Sequence, residues 1–311
     1  MAKITCFIFV ARSDASFIRT TLPFLCKMAA RAECKTVVVL DASKPNGVLG
    51  ESLQQAELSE IIGILEEIKK KSSFELEVFS PSQSEVLKLS RIHLGKSYRE
   101  THCFRGYPIH GSIRQFHKYD SDYILHLDSD MLFHETEGFS WIKSGVELME
   151  QNSDIACVLP RGGPPPHNGS LHQGTTEYRV DEKREIYLFK NFTSRHYLAH
   201  RKRFLELLPM KPRWLSWREP FKSRLFGNGK MLCWEVTVTK AIEKSNYWRA
   251  DLASPKAWSL HPPERGERFN KYLPEIIKLV EAGFSPKEQL GHYDLNLDWW
   301  EGIITKSPEN V

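Results

Sequence analysis

Four apolar runs of strand length, Ile4–Ala11, Lys35–Leu40, Tyr123–Leu127 and Ile155–Leu159, constrain this chain more than anything else in it. Each reads as a buried strand, and helical patterns lie between them. Phe17 to Ala30 is helical, with Asp14 or Ser16 placed to cap it and Pro23 placed to kink or split it. Ser52 and Gln55 form a capping box for an amphipathic helix reaching Lys71, after the turn residues Ser43, Pro45, Asn46 and Gly47. Its apolar face carries Ile61, Ile62, Leu65 and Ile68. Phe74 to Phe79 alternates as a strand, with Phe74, Leu76 and Val78 on one face. Ser112–Tyr119 and Trp141–Asn152 are further helices. Strands alternating with helices predict an α/β fold with a largely parallel sheet.

The third run ends in two carboxylates one residue apart, Asp128 and Asp130. If extended geometry continues past the strand, both lie on one side. Two converging carboxylates repel. A divalent cation with a phosphate on its far side relieves that cost, and Mg²⁺ or Mn²⁺ suits oxygen ligands of this kind. The plain alternative is an acidic turn after a strand.

With 311 residues, 41% hydrophobic and 26% charged, the chain is an ordinary globular protein with ample core. None of the apolar runs approaches the ~20 residues that span a bilayer. The opening run lacks a convincing cleavage site and is interrupted by Arg12 and Asp14, so it reads as the first strand rather than a signal peptide. Six scattered cysteines without a C-x-x-C pair argue against a disulfide framework or structural zinc and fit a reducing compartment. The expected location is the cytoplasm, and the sequons at Asn168 and Asn191 read as chance. His102, His110, His117, His126 and His134 have no spacing that makes one zinc site. A net charge of +4 does not imply nucleic acid binding.

The second half is less regular. A Gly/Pro-rich loop follows Arg161, a strand covers Ile186–Phe189, and another element spans Tyr197–Leu208. Helices are expected over Cys233–Lys244 and from Lys271 to Ala282, the latter stopped by Gly283. Ser285 and Glu288 form a second capping box, with Pro286 at the first helical position. Arg201 to Arg224 carries eight basic and two acidic residues, an excess greater than that of the whole chain. Within it Trp214, Trp217 and Phe221 share a face if helical, although Pro220 opposes a long helix. Three readings stand: a loop closing over substrates, plain core, or a peripheral membrane contact over 210–226 on the inner face of a membrane.

Taken together, Phe7–Asp14, Phe17–Leu25, Val37–Ser43 and Tyr123–Asp130 resemble a GT-A fold glycosyltransferase, most like family 2. The likeness covers residues 4 to 135 and runs more weakly to His261. It implies a single domain: 1–135 for the nucleotide-sugar, 136–265 for acceptor and catalysis, 266–311 as a helical extension. The fold implied is a mostly parallel sheet flanked by helices, with an irregular acceptor-side C-terminal part. By resemblance, Val10, Ala11, Arg12 and Asp41 contact the nucleotide, and Arg114 reaches the diphosphate or a sugar hydroxyl. Asp128 and Asp130 hold Mn²⁺ or Mg²⁺, with His261 as third ligand. Glu235, opening a late helix, is the base that takes the acceptor's proton. The chain has Val10 and Ser13 where the family usually has proline and asparagine, and Glu235-Val236 where it more often has Glu-Asp. The bland alternatives are a turn cap for Asp41, an exposed helix charge for Arg114, an exposed helix residue for Glu235 and a structural histidine for His261. The implied donor is a UDP-sugar and the implied acceptor a glycan, a lipid-linked molecule or a small molecule, with inversion at the anomeric carbon.

Two rivals differ in class. A haloacid dehalogenase-like phosphatase would use Asp128 as nucleophile, but that motif normally sits near the amino terminus and needs a later acidic pair. A non-catalytic relative would bind sugar or nucleotide only.

Overall fold

The protein, as a computed structural model, describes residues 2–43, 56–167, 171 and 177–306. The Ser52–Gln55 capping box, the turn residues 45–47 and the Asn168 sequon lie outside the described residues. In chain order the elements begin β1 (Ile4–Val10), α1 (Ile18–Arg31), β2 (Lys35–Asp41), α2 (Leu58–Lys69), β3 (Glu75–Phe79), α3 (Gln83–Leu94), α4 (His110–Lys118), β4 (Tyr123–Asp128) and β5 (Leu132–Glu135). They continue with α5 (Trp141–Gln151), β6 (Ile155–Leu159), β7 (Arg161–Gly162), β8 (Tyr178–Asp181), β9 (Ile186–Phe189), β10 (His196–His200) and α6 (Arg201–Leu205). The last are α7 (Glu219–Phe226), α8 (Trp234–Glu243), β11 (Trp248–Leu252), β12 (Ala257–Leu260), α9 (Glu267–Glu281) and α10 (Leu297–Lys306).

Among the described residues nine strands form one sheet in the order β3-β2-β1-β4-β10-β6-β11-β9-β8. Only β9 and β10 oppose the rest, so the sheet is mostly parallel, as expected. The near-continuous apolar runs are explained by burial on both faces. Cys6, Ile8, Val10, Val38, Leu40, Leu125 and Leu127 point into one core, with residues of α1, α2, α5 and α9. Phe7, Val37, Val39 and Ile124 point into the other, with residues of α4, α6 and α8.

A small second sheet, β5-β12-β7, positions the site. β12 pairs antiparallel with β5, Leu260 opposite Leu132. Continuing that register by one residue brings His261 level with Met131, beside the turn that follows β4. Gly163, just past β7, has φ +79°, and a Cβ there would collide with the backbone of His292. Only glycine fits that approach.

Several local expectations are corrected. α1 runs through Pro23 as one helix, and neither Asp14 nor Ser16 caps it: Phe17 is the N-cap residue, without a side-chain cap bond. In β3, Val78 is 44% exposed and Phe79 is buried, so the expected alternation fails at an edge strand. Ser285–Glu288 opens only a short 3₁₀ turn, Lys287–Gln289, with no side-chain cap bond. A capping box that does form, between Ser82 and Glu85, starts α3. The basic segment is not plain core: Trp217 is 74% and Phe221 61% exposed, and only Phe221 of the three aromatics lies within α7.

Candidate active site

A cleft of about 910 Å³ opens at the carboxyl ends of β4, β6 and β11. Open α/β sheets bind ligands at such an end. Asp128 reaches it from the end of β4, Glu235 from the first turn of α8, and His261 from just beyond β12. The structure therefore brings together three residues separated by up to 133 positions in sequence.

Asp128 is 35% exposed in its side chain, with His126 Nε2 at 3.4 Å from its carboxylate. Asp130 differs. The chain turns after β4, so extended geometry does not continue, and the two carboxylates occupy different environments. Asp130 is 1% exposed and paired through Oδ2 with Arg265, while its Oδ1 is buried with no partner among the described residues. Arg265 also stands 3.6 Å from Asp14. Asp14 in turn accepts hydrogen bonds from the Ala11 N–H at 2.8 Å and from Ser129 Oγ at 2.7 Å. Burial raises the Asp14 pKa above the ordinary carboxylate value, and Arg265 opposes that shift. Among the described residues no three His, Cys, Asp or Glu side chains already converge as a metal cluster.

Glu235 has one oxygen fixed. Ser194 N–H donates to Oε2 at 3.0 Å and Ser194 Oγ at 3.4 Å. One helical turn on, Thr239 Oγ1 accepts from the Phe192 N–H at 2.9 Å, so α8 holds the 192–194 segment at two points. His261 is buried, and its Nδ1 lies 2.9 Å from Asp294 Oδ1. The His261 hydrogen bond holds the Asp294 carboxyl below its usual range, and an ionised carboxylate can only accept, so His261 Nδ1 carries the proton between them. Nε2 is then the nitrogen with the free lone pair.

Asp130 and the other expected residues lie outside the cleft lining. Val10 is core. Ala11 N–H is engaged by Asp14, and Arg12 Nε donates to Ala56 O at 2.7 Å. Asp41 is 8% exposed and accepts from Ser43 N–H at 2.9 Å, as a turn cap does. Arg114 is ion-paired with Glu77 and lies over the Phe79 ring at 4.9 Å.

Four cleft residues escape sequence reasoning. Arg195 is level with Asp128, whose N–H donates to Arg195 O at 2.7 Å. No salt bridge joins Arg195 among the described residues. Burial disfavours its charge, but the carboxylates of Asp128 and Asp130 outweigh that and raise its pKa. Arg249 and Asp251 form a two-bond buried ion pair at 2.7 Å each, and Asp294 orients His261. None carries a motif; their placement follows from strand pairing and from the chain packed beside it. All six cysteines are free; the Cys103 and Cys233 Sγ atoms are 3.4 Å apart, and Cys233 lines the cleft.

No family model and no curated protein matches the chain. Among solved structures, the S. aureus TarS fragment 1–349 in complex with UDP-GlcNAc matches over 98% of this chain and 71% of its own, at 12% identity and TM-score 0.44. In another structure of that fragment the chain spans 65% of its length. The mannosyltransferase PcManGT from Pyrobaculum calidifontis, in complex with GDP-Man and Mn²⁺, matches over 90% of this chain and 64% of its own, at 8% identity and TM-score 0.43. A UDP-glucose pyrophosphorylase complexed with UDP-glucose matches over 81% and 91%, at 12% identity and TM-score 0.40. The neighbours are glycosyltransferases and nucleotide-sugar enzymes. Likeness of this size carries no argument about chemistry, which rests on the residues of the cleft.

Proposed function

We propose that the cleft transfers a sugar from a nucleotide-diphosphate sugar, UDP-linked by preference, to an acceptor hydroxyl, with inversion. The observation that carries this reading is the convergence of Asp128, Glu235 and His261 on one cleft. Its volume, about 910 Å³, falls within the range of small-molecule sites.

A divalent cation, Mn²⁺ or Mg²⁺, is assigned to Asp128, Asp130 and His261, which would have to draw together to hold it because they do not already converge among the described residues. Asp130 Oδ1 is a buried carboxylate oxygen without a partner among the described residues, and Asp128 faces the cleft. These two with His261 Nε2 would hold the ion, and imidazole favours Mn²⁺. When bound, it would neutralise the departing diphosphate.

The chain's own residues supply the rest. Arg195 offers a second positive charge to the diphosphate. Glu235 Oε2 is held by Ser194, which leaves Oε1 to accept the acceptor hydroxyl's proton. Ala11, Arg12 and Asp41, at the ends of β1 and β2, are assigned to base and ribose and would exchange their present hydrogen bonds for ligand bonds; Val10 is not assigned, because its side chain is core. Arg114 is not assigned, because Glu77 neutralises it and Phe79 covers it. Residues 1–135 then form the donor half, 136–265 the acceptor half and 266–311 the extension that supplies Asp294.

The test is nucleoside diphosphate release from a panel of sugar nucleotides, with and without Mn²⁺. Mn²⁺-dependent release that is lost in Asp128→Ala is expected. Hydrolysis of a simple phosphate ester by a protein that releases nothing from any sugar nucleotide would replace this reading with the phosphatase one.

A further inference from the structure

α7 is amphipathic the wrong way round for a helix on a globular core. Its polar residues turn inward: Glu219 is 6% exposed and Ser223 is fully buried. Ser223 Oγ donates to the buried Glu100 carboxylate, which also accepts from Gly229 N–H at 2.7 Å. Glu219 accepts from Lys230 N–H at 2.9 Å. The helix is thus clamped by hydrogen bonds, with Pro220 in its first turn and Gly227 in the left-handed conformation closing its end.

Its apolar residues turn outward. Leu215, Trp217, Phe221, Leu225 and Phe226 are 51%, 74%, 61%, 65% and 73% exposed. Within α7, Phe221 and Leu225 are four residues apart and share a face, and Trp217 is exposed in the turn just before the helix. These five are nearly half of the eleven large hydrophobics exposed anywhere among the described residues. Such clustering marks an interaction site rather than the usual scatter of surface apolar side chains. Around them Lys211, Arg213, Arg218, Lys222, Arg224 and Lys230 are exposed, whereas no acidic residue from 211 to 230 is. Arg218 lies over the Trp217 ring at 5.1 Å.

We propose that α7 and its flanks dock on an anionic lipid bilayer, inserting Trp217, Phe221, Leu225 and Phe226 among the acyl chains and setting the cations on the headgroups. Exposed aromatics in and beside one short helix, ringed by Lys and Arg, satisfy both demands of that interface. Charge selects the occupant. A second copy of this chain would set cations against cations, at a cost. Leucines among the aromatics offer no platform for stacked bases, which is what a single-stranded nucleic acid requires. Leu215 belongs to the patch and also lines the cleft, so a bilayer seated here adjoins the cleft mouth. No helix among the described residues is long and apolar enough to cross a membrane, so this contact lies on the surface. The docking stands whether or not the cleft transfers sugar.

The experiment is sedimentation with phosphatidylcholine vesicles, with and without phosphatidylglycerol, at low and high salt. Binding to the anionic vesicles at low salt, weakened at least about tenfold in high salt or in the Arg218→Ser/Arg224→Ser variant, is expected. The Trp217→Ser/Phe221→Ser variant should lose binding by about tenfold or more while keeping its circular dichroism spectrum and melting temperature. Equal binding to neutral and anionic vesicles, or none to either, overturns the proposal. So does a single-stranded oligonucleotide that binds the patch more tightly than vesicles, or a dimer abolished by the same substitutions.

Discussion

Arg265→Met isolates the charge balance beneath Asp130. The substitution keeps an unbranched stem and deletes the guanidinium that serves both Asp130 and Asp14. Those carboxylates are 1% and 7% exposed in their side chains, and the Asp130 charge raises the cost of ionising Asp14. Breaking a buried pair costs about 3–5 kcal/mol. The Arg265 side chain is 34% exposed, so water screens part of that. About 1–3 kcal/mol is expected, which for a chain of this size lowers Tm by roughly 2–6 °C. The pH dependence has a definite sign. Burial already lifts the Asp14 pKa and Arg265 works against that, so the variant lifts it further. A carboxyl whose folded pKa lies above its unfolded one makes the folded state bind more protons, and stability falls as pH rises through that window. The penalty is therefore largest at neutral pH and shrinks toward the unfolded value of about 4. Denaturant titrations at neutral and mildly acidic pH measure it. Mn²⁺ with UDP should then stabilise the variant more than the wild type, because the ion replaces the lost charge. A variant as stable as wild type at neutral pH refutes the counter-ion role. Equal stabilisation of both proteins by Mn²⁺ refutes its seat on Asp130.

Glu235→Gln keeps the bond from Ser194 N–H but cannot take a proton; turnover should fall by about 10²- to 10⁴-fold with the donor KM little changed, and a loss confined to KM would move the base elsewhere. Asp294→Asn should weaken Mn²⁺ binding by about tenfold or more in a direct calorimetric titration, as loss of a histidine-orienting carboxylate does; unchanged binding would remove His261 from the metal site. His93 is fully buried with neither ring nitrogen bonded among the described residues, and burial drops its pKa to about 3, ahead of repulsion from His117 and His110. Its unfolded form protonates below about 6.5 and the folded form does not, so it costs about 1.4 kcal/mol of stability per pH unit as pH falls through that window. His93→Leu should remove about one proton from the acid slope of unfolding and raise stability at neutral pH, read from denaturation across pH 4 to 7.

The strands β1, β2, β4 and β6 were legible to within a residue at their ends, because a strand buried on both faces is written as an unbroken apolar run. So were α5, α8 and most of α9, whose apolar spacing repeats locally. The Ser82–Glu85 box and the 297–306 helix are equally local, yet they are not among the elements expected from the sequence. Asp128, Glu235 and His261 stood out as residues, each at the edge of a recognisable element. Their meeting did not, since it depends on β12 pairing with β5 and on β10 lying beside β4. The same pairings place Arg195 against Asp128, and the chain beyond β12 brings Arg265 under Asp130 and Asp294 against His261. Contacts across 135 and 33 residues leave no periodicity to read. The basic aromatic segment shows the limit most plainly. Its composition was open to three readings, and helical spacing alone could not say which face turned outward. That was decided by Glu100, more than a hundred residues away, which draws the polar side of α7 inward because a buried carboxylate must find donors.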